Sequence, residues 1–182
     1  MFGDTVIQEG DFLWCDFGII SMGLWTDSQH VGYVLRSGET EPPRGLTDGV
    51  RKSNRMQDLM LRDMQIGRTG NEVLASVAAA MTAEGIDGTI YTHPIGDVMH
   101  AAGPNIGLAD RNNGPLTGSG LLTLRAETWF SIELSATHAV PEWGGQLVSF
   151  RQEEDAYCEL QHKMPTFGGI SIENAEIMEN FP

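Results

Sequence analysis

Residues 11–35 read DFLWCDFGIISMGLWTDSQHVGYVL, two β-rich arms around a glycine-punctuated middle. The first arm, Phe12-Leu13-Trp14-Cys15-Asp16-Phe17, is dense in strand formers, and the run from Gly18 to Gly23 reads as the loop. A strand pattern resumes at Leu24 and continues to Leu35. The reading is a hairpin with one acid on each arm. Asp16 lies between Cys15 and Phe17, and Asp27 follows Trp25-Thr26 eleven positions later. Carboxylates on adjacent strands can point inward together, as a pair bridging cations requires. Two Asp in a hairpin are more often turn or edge residues, and it is the apolar flanks that raise a metal role here.

Outward from the hairpin, 38–45 is a loop containing Pro42-Pro43. The spacing of Val50, Met56, Leu59, Met60 and Met64 then predicts a helix over 47–65, closed by Gly67. Asn71 is the expected N-cap of a second helix through Val73, Leu74, Val77, Ala78 and Met81, ended by Gly85. A short strand is expected at 90–93, and 94–120 is rich in Gly, Pro and Asn. Strands follow at 121–124, 128–135 and 146–157, the last with a turn or kink at Glu153-Glu154-Asp155. The tail, 164–182, has no firm pattern. Strands, helices and strands again indicate an α+β fold with an antiparallel-rich sheet, organised as one domain over 1–182.

Composition narrows the function. The 182 residues suffice for one substantial core, and 41% hydrophobic content is ordinary for a globular chain. A net charge of −14 without a Lys/Arg-rich run argues against a nucleic-acid partner. No stretch is apolar enough for a membrane helix, and the start lacks signal-peptide features, so a cytoplasmic location is expected. Cys15 and Cys158 make neither a disulfide framework nor a CxxC knuckle, and both are expected as small buried hydrophobes.

Three further residues share the character of the hairpin acids. His93 closes the short strand before Pro94-Ile95-Gly96, with His100 seven positions on. Glu133 stands in Trp129-Phe130-Ser131-Ile132-Glu133-Leu134, where strand alternation puts it among apolar residues. Glu154 stands in Gln152-Glu153-Glu154-Asp155, whose consecutive acids repel one another without a cation. A solvated edge is the simpler reading of that triplet, as a hydrogen-bonded structural residue is of a lone His. Yet four carboxylates and an imidazole suit divalent Mn, Co, Fe or Zn, and burying them unpaired would be prohibitive.

In order and spacing, Cys15-Asp16-Phe17-Gly18, Thr26-Asp27, Tyr91-Thr92-His93-Pro94-Ile95-Gly96, Ser131-Ile132-Glu133-Leu134 and Gln152-Glu153-Glu154-Asp155 resemble the motifs of the pita-bread dinuclear metallopeptidases. That family includes methionine aminopeptidase, aminopeptidase P, prolidase and creatinase. The resemblance covers about 6–157 and is nearer the Xaa-Pro branch. It implies two divalent metal ions (Mn, Co, Fe or Zn) held by Asp16, Asp27, His93, Glu133 and Glu154, with Asp27 and Glu154 bridging. Glu153 is the alternative to Glu154, which is favoured because Asp155 then takes the place of the acid that commonly follows the ligand. The resemblance further implies that Glu133 accepts a proton from the attacking water, and that His100 contacts substrate and steadies the tetrahedral intermediate.

The activity so implied is amide hydrolysis on a peptide or small amide, foremost as an Xaa-Pro aminopeptidase or dipeptidase. The alternatives are a creatinase-like non-peptide C–N hydrolase and an inactive binding module of the same fold. Departures stand at Pro94, where the family usually has Gly, and at Ala101, where Glu commonly follows the second His. His30 occupies a position often basic in relatives, and Asp97 is expected to be solvated. Only fifteen residues precede Asp16. The family's first helical pair is therefore expected to be missing, with a homo-oligomer or a missing N-terminal segment covering the exposed sheet.

Overall fold

A computed structural model describes residues 5–108, 112–159 and the backbone of 166–167. The expectation for 164–182 lies otherwise outside the described residues. The hairpin forms as β1 (Phe12–Phe17) and β4 (Ser28–Tyr33), with a small ribbon of β2 (Ile20–Ser21) and β3 (Leu24–Trp25) between them. Two helices follow, α1 (Arg44–Asp63) and α2 (Gly70–Ala83). The remaining strands are β5 (Asp87–Ile95), β6 (Thr128–Val140), β7 (Gln146–Cys158) and β8 (Thr166–Phe167). The antiparallel sheet runs β1-β4-β7-β6-β5, with β8 paired to the far end of β7.

Alternation along the central strands separates two faces. Phe130, Ile132, Leu134 and Ala136 of β6 and Phe150 and Ala156 of β7 are buried on one. Met56, Leu59 and Met60 of α1 and Val73, Leu74 and Val77 of α2 complete the core. Helix α1 lies directly on β7 because Gly49 has no side chain where the Phe150 ring sits. The opposite face of the same strands carries the polar residues described below.

Several boundaries differ from expectation. Helix α1 begins at Arg44, immediately after Pro43, and ends at Asp63. The N-cap of α2 is Thr69, not Asn71: its hydroxyl accepts from Glu72 N while the Glu72 carboxylate accepts from Thr69 N, a complete capping box. The expected strand at 121–124 is replaced by a 3-10 turn, Gly118–Leu121, and a single bridge from Thr123 to Thr69. Strand β7 passes through the acidic triplet without a break, because successive side chains leave on opposite faces. Cys158 is buried, but Cys15 is exposed.

Pro94 is accommodated inside β5. Thr92 N donates outward to Ile106 O, so two residues on the proline nitrogen faces the same outer edge and no ladder bond to β6 is lost. At the other end of the sheet, Trp14, Phe17, Ile19, Ile20, Met22 and Leu24 are exposed. Among the described residues, no helix is long and apolar enough to cross a membrane.

Candidate metal centre

The ladder pairs build the site as two transverse rows. Asp16 opposes Gln29, Gln29 opposes Glu153, Glu153 opposes Glu133, and Glu133 opposes Tyr91. Directly opposed residues share a face, so one row crosses five strands. One step along, Asp155 opposes Ser131 and Ser131 opposes His93. Asp27, immediately before β4, has the parity of Gln29 and joins the same face. Residues far apart in sequence thus meet through strand register alone.

Asp16, Asp27, His93 and Glu133 come together as expected; the fifth member is Glu153 rather than Glu154. Three sets of ligand atoms each fall within 4.8 Å of one another: Asp27, His93 and His100; His93, Glu133 and Glu153; and Asp16, Asp27 and Glu153. Glu154 points to the other face, where its carboxylate lies 3.8 Å from His30 Nδ1. The choice of Glu154 is corrected by strand phase. Phe150 and Ala156 are core residues of even number, which places odd-numbered Glu153 on the polar face.

His93 is the best-defined candidate ligand. It is 1% exposed, and Nδ1 lies 3.1 Å from Pro94 O. A carbonyl only accepts, so Nδ1 carries a proton, and in the neutral form of the ring the Nε2 lone pair turns into the cluster. Nε2 has no hydrogen-bond partner: it stands 3.5 Å from Glu153 Oε1 and 3.9 Å from Asp27 Oδ2. A buried lone pair facing carboxylates at that separation fits a divalent cation between them.

The electrostatics agree with that fit. Burial, followed by the Glu153 charge, pushes Asp27 up to about 6 and Glu133 up to about 7. Burial also raises Asp16, with Glu153 again second. Asp155, whose Oδ1 accepts from Asp27 N at 3.3 Å, is raised by burial to about 6. For His93, burial opposes protonation, but the neighbouring Glu153 and the Pro94 carbonyl outweigh it and raise the pKa. These groups are poorly supplied with positive charge, and cations would relieve them.

His100 arrives from the turn after β5, which Ala101 N closes by donating to Pro94 O. Its ring lies 4.2 Å from that of His93, and Nε2 is 3.8 Å from Asp27 Oδ2. Burial and then His93 lower its pKa. Tyr91 Oη lies 3.2 Å from His100 Nδ1. Asp97 is exposed, as expected. Sequence reasoning missed Gln29, Ser131 and Asp155: Gln29 is two positions from Asp27 and Ser131 two from Glu133, a parity signal that would have found both, whereas Asp155 shares the parity of Glu153 and was hidden by the choice of Glu154.

The model of metallopeptidase family M24 matches residues 2–179 of this sequence. The chain belongs to that family. Solved structures agree with M24 membership in fold. The prolidase of Thermococcus sibiricus is 17% identical with a TM-score of 0.62, covering 88% of this chain and 38% of that one. The X-Pro aminopeptidase of Thermotoga maritima is 21% identical with a TM-score of 0.61, covering 91% and 41%. The methionine aminopeptidase of Rickettsia prowazekii is 17% identical with a TM-score of 0.61, covering 91% and 66%. The M24 chain therefore spans about two-fifths of the length of the first two, and its fold is the α+β pita-bread fold. No curated protein matches its sequence.

Proposed function

We propose that this chain carries a two-ion hydrolytic centre of the M24 type, acting on peptide bonds next to proline as an aminopeptidase or dipeptidase. The observation that carries the reading is the unpartnered, buried Nε2 of His93 among the carboxylates of Asp27, Glu133 and Glu153. Two overlapping ligand sets that share Glu153, one with His93 and Glu133 and one with Asp16 and Asp27, favour two ion positions with Glu153 between them. Proline specificity draws on the prolidases and the X-Pro aminopeptidase among the structural neighbours.

Divalent ions, when bound, supply a polarised water and a Lewis acid for the substrate carbonyl. The chain's own residues do the rest. Asp16, Asp27, His93, Glu133 and Glu153 would hold the ions. Glu133, whose carboxylate stands in the cluster opposite Glu153, would accept a proton from the attacking water and return it to the leaving nitrogen as the C–N bond breaks. When Tyr91 Oη donates to His100 Nδ1, His100 carries its proton on Nε2, the atom beside Asp27. It then donates to the oxygen on which negative charge develops.

Hydrolysis of Ala-Pro and Met-Pro dipeptides, followed by amine release with added Mn2+ and with EDTA, tests the reading. Mn2+-dependent cleavage, absent in His93→Ala and faster than on Ala-Ala, is the expected result. Equal rates with EDTA, or binding of Mn2+ without cleavage of any dipeptide, would overturn it.

A further inference from the structure

Gln29 is 3% exposed and lies between Asp16 and Glu153 in the transverse row. Its amide nitrogen donates twice: Nε2 is 2.9 Å from Glu133 Oε1 and 2.6 Å from Glu153 Oε2. A primary amide has two donor hydrogens, and both are used on carboxylates that the β6–β7 ladder sets directly opposite one another. Like charges so placed repel. The amide gives them a shared neutral donor that fixes which edges face the site.

The other end of the amide is also held. Gln29 Oε1 accepts from Trp14 Nε1 at 3.1 Å. A flipped amide would set its oxygen against two carboxylates and its NH2 against the indole N–H, so the surroundings permit one orientation only. Trp14 is itself seated under the Arg151 guanidinium, 4.6 Å from the ring centroid. The second Glu153 oxygen accepts from Ser131 Oγ at 2.7 Å. Each carboxylate oxygen keeps a lone pair for a cation.

We propose that Gln29 is a positioning residue of the metal centre, holding Glu133 and Glu153 in ligating orientation, with Trp14 locking the amide that does so. This rests on the two-ion reading above. Outer partners of metal ligands typically carry ~10–100-fold in affinity, and Gln29 touches two ligands at once.

Co2+ titration of the 182-residue chain tests the inference, by calorimetry for affinity and by visible absorption for ligand geometry. Gln29→Met keeps the length of the side chain and removes both donor and acceptor. The expected result is binding weakened by about 10-fold or more, together with an altered Co2+ spectrum. Trp14→Phe, at a half-exposed position, should shift both readouts in the same direction by less, and it decides the matter if Gln29→Met does not fold. Variants that bind indistinguishably from the parent overturn the inference. So does weaker binding with the parent's spectrum, which marks a merely structural role. A parent that binds no Co2+ overturns the two-ion reading and this inference together.

Discussion

Glu153 and Glu154 are one peptide unit apart, yet Glu153 faces His93 at 3.5 Å and Glu154 faces His30 at 3.8 Å. Their substitutions should diverge accordingly. In Mn2+ calorimetry, Glu153→Gln should lose more than the ~10–100-fold associated with outer partners, while Glu154→Gln should bind like the parent. The reverse ranking would refute the placement. The raised carboxylates make a second prediction. Asp27 and Asp155 titrate at about 6 and Glu133 at about 7, against ordinary values of 3.8 for Asp and 4.5 for Glu. Between those limits these three groups bind more protons in the folded chain than in the unfolded chain, so their contribution to stability is full below about pH 4 and is lost as pH rises to about 7. The raised His93 adds a loss of the same sign as pH climbs through its folded value. Urea midpoints in EDTA should therefore decline from pH 5 to pH 7. Excess Zn2+ should oppose the decline, because the ligands bind it deprotonated. A midpoint that rises with pH in EDTA would contradict the assignment.

At the scale of elements, helix α1 depends on the missing Cβ of Gly49 to lie on the Phe150 ring. Gly49→Ala should cost on the order of 1–3 kcal/mol in urea unfolding through overpacking, and an unchanged midpoint would show that α1 has room to lift. Most of this architecture was legible in the sequence. The hairpin acids, the apolar spacing of α1 and the strands holding His93 and Glu133 all follow from local pattern. What escaped was phase and reach. The triplet Glu153-Glu154-Asp155 looked like a turn because three adjacent acids suit solvent, whereas alternation lets one of them face the site while the strand continues. Read from Phe150 and Ala156, the same alternation selects Glu153. The cap of α2 escaped for a similar reason: Asn71 is a good cap in isolation, but Thr69 and Glu72 form the reciprocal pair. The role of Gln29 depends on pairing between β4 and β7, 124 positions apart, which local pattern does not report.

At the scale of the molecule, the transverse row makes the centre a property of the whole sheet, since β1, β4, β5, β6 and β7 each contribute to that face. The hairpin end also exposes Phe17, Ile19, Ile20, Met22 and Leu24. Apolar surface gathered in this way favours association. Sedimentation velocity of the 182-residue chain should show larger species as concentration rises, reduced by Ile20→Asp; a single monomeric boundary throughout would contradict this. The most direct measurement is anomalous diffraction from Zn2+-soaked crystals at the zinc edge. The expected result is density bonded to His93 Nε2 at about 2.0–2.1 Å and shared with Glu153, with Glu154 unligated. Zinc bound only elsewhere, or a cluster held solely by the Gln29 and Ser131 hydrogen bonds at saturating Zn2+, would contradict it.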